Sequence, residues 1–149
     1  MILVSACLVG INCNYLGGSK SNKFLIDLVR GGIALPICPE QLGGLPTPRI
    51  GAEIVNGKVI TQDGRDVTIN FVNGAKEVLK IAKMINCKLA ILKAKSPSCG
   101  SGQVYDGAFL GELISGDGIL VKELKQNGIR VITENDIEGN LKEIEEAIK

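Results

Sequence analysis

Four short apolar runs constrain this chain more than any other feature. They are Ile2 to Ser5, Ile33 to Ile37, Leu89 to Leu92 and Ile129 to Ile132. Each is too short for a helix and is flanked by polar, Gly or Pro residues, as in a strand buried on both faces. Between them lie segments with helical periodicity. Ser21 or Asn22 opens a helix to about Arg30, closed by Gly31-Gly32. Asp66 or Thr68 opens a long one to about Asn86, in which Phe71, Ala75, Val78, Ala82 and Ile85 form one stripe. Asp117 opens a third, closed by Gly128, and Asp136 opens a fourth carrying Ile137, Leu141, Ile144 and Ile148 on one face.

Strands that alternate with helices imply an α/β fold: a doubly wound, mostly parallel sheet of about four strands with right-handed crossovers. The segment Glu53 to Thr61 adds a β-hairpin, because Asn56-Gly57 sits between two apolar pairs. The stretches Cys38 to Gly51 and Lys95 to Phe109 are rich in Pro and Gly and read as ordered loops. At 149 residues the expectation is one domain over 1–149. In open α/β sheets, ligands bind outside the carboxyl ends of the strands. That rule directs attention to the loops.

Composition narrows the chemistry. There are no histidines, so the commonest general base, the Ser-His-Asp triad and every His-containing zinc site are excluded. Lys and Arg total 17 against 16 Asp and Glu, a net charge of +1. This argues against stable nucleic-acid binding, which normally shows as a basic excess. No apolar run is long enough for a membrane span. The start MILVSACLVG lacks a basic leader and reads as a strand rather than a signal peptide, so a cytoplasmic setting is expected. Hydrophobic residues make up 45% of the chain, enough for a core without disulfide staples. Five cysteines in a reducing compartment then point to metal or redox chemistry.

Three of those cysteines follow strands. Cys7 lies just past the first, Cys38 just past the second, and Cys99 in the loop after the third. The topology brings them to one sheet edge. Pro36, Pro39 and Pro97 stiffen their loops, while Gly43-Gly44, Gly100 and Gly102 let backbone approach a bulky group. Thiolates select zinc, Cu(I) or iron–sulfur centres. Structural zinc usually takes close CxxC pairs, and none occurs here. Widely spaced ligands on rigid loops suit an iron–sulfur cube, and three thiolates would leave one iron open. Cys13 is open between fourth ligand, catalytic thiol and structural residue. Cys87 reads as a small buried hydrophobe. Glu40 is the carboxylate best placed to act as general base. Ser96 and Ser98 are candidates to bond substrate or cluster, and Arg49 to hold an anionic or carbonyl group.

The segments SACLVGINC (Ser5 to Cys13), CPEQLGGLPTPR (Cys38 to Arg49), GRDVT (Gly64 to Thr68) and KSPSCGSGQVYDGAF (Lys95 to Phe109) resemble, in order, the thiouracil desulfurase family. The resemblance implies a Rossmann-like domain with a [4Fe–4S] cluster on three cysteines, which map to Cys7, Cys38 and Cys99. It implies removal of sulfur from a small thiolated nucleobase or nucleotide, with release of hydrogen sulfide. By the same resemblance the glutamate after the second ligand is Glu40, and the serine of the last motif is Ser96 or Ser98. Cys13 also falls within the family pattern. The loop NCNYLGG departs from the commoner form: Asn14 and Leu16 replace a basic and an acidic residue.

The expected reaction is hydrolytic, without net redox change, with Glu40 activating water. Two rivals stand beside it. One is a sulfur-transfer enzyme that modifies tRNA bases, which near-neutral charge disfavours. The other is a structural zinc or binding module built on Cys7, Cys13, Cys38 and Cys99.

Overall fold

Strand order explains where the site must be. The computed structural model describes residues 1–149. Its main sheet contains β1 (Ile2–Ser5), β2 (Ala34–Ile37), β5 (Leu89–Leu92) and β8 (Arg130–Thr133), all parallel, in the order β2-β1-β5-β8. The chain steps from β1 outward to β2, then returns past β1 to β5. The direction of winding therefore reverses between β1 and β5. Their carboxyl ends diverge there and leave a crevice.

The central strands β1 and β5 are buried along their whole length, as uninterrupted apolar runs require. Side chains alternate between two layers. Leu3, Ala90, Leu92 and Val131 pack with Ala75, Val78 and Ala82 of α3 (Thr68–Met84) and Leu120, Val121 and Leu124 of α4 (Ile119–Gln126). On the other face, Ile2, Val4, Leu89, Ile91 and Ile132 pack with Leu25 of α1 (Lys23–Arg30) and Ile144 of α5 (Leu141–Ile148). Helices cover both faces, so the doubly wound reading holds. No helix is long and apolar enough to cross a membrane.

Outside the sheet, β3 (Ala52–Val55) and β4 (Lys58–Thr61) form the expected hairpin. Asn56 and Gly57 take φ 50 and 79, the paired left-handed values of a tight turn. A one-turn helix, α2 (Pro39–Leu42), begins inside the first expected loop, with Pro39 at its first position. The second expected loop contains β6 (Gln103–Tyr105), which pairs with β7 (Leu113–Ser115) as an antiparallel hairpin. Strands of three residues in a Gly-rich stretch carry too little alternation to be read from sequence.

Helix starts were partly legible. Asn22 caps α1 through its side chain, which accepts from Leu25 N at 3.1 Å. Asp66 precedes α3 and accepts from Thr68 N at 2.9 Å. Asp117 does not cap α4. The helix starts after Gly118, and its first donors reach loop carbonyls instead: Ile119 N to Pro97 O at 2.8 Å and Leu120 N to Ser98 O at 3.0 Å. With those N–H groups satisfied, no side-chain cap is needed. Asp117 accepts from Gly102 N and pairs with Lys125. The last helix starts at Leu141 rather than Asp136. Asp136 closes a capping box with Thr133, and two short 3₁₀ turns intervene.

Candidate iron–sulfur active site

A cleft of about 580 Å³ opens at the carboxyl ends of β1, β2 and β5. Cys7, Cys13, Cys38 and Cys99 all line it, as do Glu40, Arg49, Ser96 and Ser98. Residues distant in sequence meet because each follows a parallel strand. Cys87 does not take part. It is buried in the core between α3 and β5, and its thiol bonds Leu89 O at 3.1 Å.

The thiols share one environment. Cys7 and Cys38 are partly exposed, whereas Cys13 and Cys99 are buried. The Cys13 thiol interacts with both Cys38 and Cys7. The Cys38 contact lowers its pKa, but the Cys7 contact and burial prevail and hold it near 11. Cys38 is pushed up strongly by its bond with Cys13 and by burial. Burial lifts Cys99 to about 12 against opposing bonds from Ser5 and Ser98. With no metal bound, Cys13, Cys38 and Cys99 are therefore protonated near neutral pH, and any ligation must release their protons. No trio of Cys, Asp or Glu is gathered tightly enough to enclose a single metal ion.

Beside the thiols runs a polar chain. Arg49 Nε donates to Glu40 Oε1 at 2.9 Å, and both side chains are largely buried. Arg49 Nη2 also donates to Cys13 O at 2.9 Å, which ties the carboxylate to the first loop. Ser98 Oγ donates to Glu40 Oε2 at 3.0 Å and lies 3.6 Å from Cys99 Sγ. Ser96 acts differently. Its Oγ accepts from the backbone N–H of Ser98 and Cys99, both at 3.1 Å, and so shapes the loop. Of the two serines, Ser98 is the one that touches both Glu40 and a thiol.

Backbone contact holds this arrangement. A Cβ on Gly74 of α3 would stand 1.9 Å from Pro39 O, and one on Gly43 would stand 2.0 Å from Asn70 O. Only two glycines permit α2, with Glu40, to lie so close to α3. Gly118 does the same for the Cys99 loop: its Cβ would stand 2.5 Å from Ser98 O.

Several site residues escaped the sequence reading. Ser5 is buried at the end of β1, accepts from Lys93 N at 2.9 Å, and its hydroxyl acts to lower the Cys99 pKa. Its place at the tip of a central strand beside Cys7 was the available signal. Tyr15, Glu53, Tyr105 and Phe109 also line the cleft. Asn14 braces its own loop by accepting from Leu16 N and Gly18 N, while Leu16 stands exposed at the cleft mouth. A smaller depression of about 340 Å³ adjoins the cleft and shares Lys20, Lys93, Ala94 and Lys95 with it.

The 2-thiouracil desulfurase family model matches residues 2–136. Uncharacterized protein YbbK of Bacillus subtilis (strain 168) is 46% identical, over 92% of this chain and 97% of that protein. A solved structure described as [4Fe-4S]-dependent thiouracil desulfidase TudS superposes with a TM-score of 0.92 at 40% identity, covering 97% of both chains.

Proposed function

Since this chain belongs to the 2-thiouracil desulfurase family, we propose that it is one iron–sulfur domain over 1–149 that desulfurates thiouracil-type bases hydrolytically. The overall change is C=S plus water to C=O plus hydrogen sulfide, with no electron supplied or removed. Cys7, Cys38 and Cys99 would hold a [4Fe–4S] cluster, as the similarity to the TudS structure supports. When bound, that cluster supplies a Lewis-acidic iron without a protein ligand, which polarises the thiocarbonyl.

The remaining work falls to side chains. Glu40 takes a proton from water as the oxygen attacks the thiocarbonyl carbon. Arg49 orients the carboxylate through Oε1, leaving Oε2 to face the reacting groups. Ser98 bonds that second oxygen and stands between it and the thiol side. It can thus pass a proton toward the departing sulfur as the tetrahedral carbon collapses to the oxo base. Cys13, whose carbonyl accepts from the Cys38 thiol at 3.9 Å, is assigned to shaping the thiol cluster and its proton inventory. Free thiols in this number also fit a reducing cytoplasmic setting.

The observation that carries this reading is the Arg49–Glu40–Ser98 chain ending at Cys99 within the same cleft. The test is anaerobic cluster reconstitution, addition of thiouracil, and measurement of sulfide and uracil. A fully loaded protein that releases no sulfide would rule out this substrate class. A Glu40→Gln variant with intact cluster and unchanged rate would remove Glu40 from the mechanism.

A second reading concerns substrate size. Lys20 and Lys95 border both the cleft and the adjoining depression, where the phosphate of a thiolated nucleotide would find cations, whereas Lys93 there is paired with Glu134. Competition between thiouracil and thiouridine monophosphate decides it. Preference for the nucleotide that vanishes in Lys95→Ala supports the larger substrate.

A further inference from the structure

Aromatic residues are scarce in this chain: two Tyr, three Phe and no Trp. Yet both tyrosines and one phenylalanine, Phe109, line the cleft. Phe71 is buried in a separate small cluster, and Phe24 lies on α1. Rings are thus concentrated where a flat ligand would sit. Tyr15 already has a packing partner, since a Cβ on Gly51 would stand 3.5 Å from its ring. Tyr105 is held in β6, opposite Leu113.

Phe109 is held in an unfavourable way. Its φ is 59, in the left-handed region that bulky residues rarely enter. Gly107 and Gly111 on either side also have positive φ, so the loop between β6 and β7 is wound tightly about it. Glycine at position 109 would adopt that backbone freely. Strain of this kind persists only where the surroundings over-determine it. Here the constraint is Glu53 of β3. Its Oε1 accepts from Gly107 N at 3.0 Å and from Phe109 N at 3.2 Å. Gly107 is pressed against β3, where a Cβ would stand 2.7 Å from Ile54 O.

We propose that Phe109 is the stacking surface for the substrate's planar ring and a determinant of selectivity, and that Glu53 is the positioning residue that holds it there. The inference rests on the desulfurase reading, because a thiolated pyrimidine is the flat ligand concerned. The thiols and Glu40 address the thiocarbonyl. The ring plane needs a separate partner, and base–aromatic stacking supplies one without demanding a particular heterocycle.

The test uses cluster-loaded protein and two readouts. Phe109→Gly removes the ring and relieves the backbone, so its Tm stays level or rises. Its KM for thiouracil should rise about fivefold or more, the lower end of what lost stacking costs, with kcat within about twofold. Phe109→Trp, which keeps a ring, should restore KM. Glu53→Ala should raise KM as well, and Glu53→Gln, which keeps an acceptor oxygen, should restore it. A Phe109→Gly KM within about 1.5-fold of wild type overturns the inference. Sulfide release by that variant would at the same time leave the reaction standing. If wild type releases no sulfide, the reaction falls and equilibrium dialysis with thiouracil decides stacking alone. Binding weakened in Phe109→Gly upholds it; equal binding, or none by either protein, overturns it.

Discussion

On the thiol side of the cleft, Gly43 and Gly74 bring α2 and α3 into backbone contact, and Gly118 seats α4 on the Cys99 loop. On the side formed by β3 and the β6–β7 hairpin, the Phe109 loop hangs from the Glu53 carboxylate, with Gly107 alone pressed on backbone at Ile54 O. The two walls thus differ in what holds them. Backbone contacts have no rotamers to exchange, so they fix the elements that carry the groups proposed for chemistry relative to one another. A side-chain latch can be lost or altered without disturbing the core. The lesson is a division of labour: the groups proposed to break the bond sit on the rigid wall, and the surface that would read substrate shape sits on the adaptable one.

That contrast breaks most sharply at Gly74. Gly74→Ala drives a methyl group into Pro39 O, a backbone atom that cannot step aside. We expect a stability loss of about 3 kcal/mol, seen in urea or thermal unfolding, together with loss of cluster loading. If Gly74→Ala folds and loads normally, the thiol wall is not rigid in the sense argued. Next comes Ser98→Ala, which deprives Glu40 of one hydrogen bond and leaves the fold intact. Sulfide release should slow roughly ten- to a hundredfold, the worth of a hydrogen bond to a charged group. Cluster absorbance should remain unchanged. By contrast Ser96→Ala acts on loop backbone, so its defect should include weaker cluster retention, read as faster iron release to a chelator.

On the adaptable wall the effects shrink. Glu53→Ala should raise KM severalfold and lower Tm by only a few degrees, consistent with about 1 kcal/mol for the lost bonds. The smallest effect is expected at the other hairpin. Gly57→Ala strains a left-handed turn at the tip of β3–β4, where no atom approaches within 4 Å. It should cost about 1 kcal/mol and leave sulfide release unaltered. A change in KM there would show that the two hairpins move together, and the wall would need to be treated as one unit.

The two hairpins also show why legibility varied along the chain. The β3–β4 turn is encoded by adjacent residues, because only Asn-Gly-like pairs accept both left-handed φ values at low cost. The β6–β7 hairpin closes through Glu53, through an Asp106 N to Glu112 O bond and through Gly102 and Asp117. Those contacts span distances that periodicity does not register. Helix starts divide in the same way. Asn22 caps α1 locally and was readable, whereas the first turn of α4 is satisfied by Pro97 O and Ser98 O, carbonyls of a preceding loop.

By itself the sequence determined the parallel sheet, both helical layers and the three cysteines at strand ends. Burial on both faces leaves a strand no alternation, and chain direction then sends every following loop to one edge. It also marked Glu40 as a candidate and Cys87 as core. Only the tertiary structure decided that Arg49 engages Glu40, that Ser98 rather than Ser96 bridges it to Cys99, and that Glu53 and Phe109 complete the cleft. Those pairings range from adjacent residues to ones 58 apart, with no common spacing. Their partners are selected by distances of about 3 Å in space, which spacing along a chain does not encode.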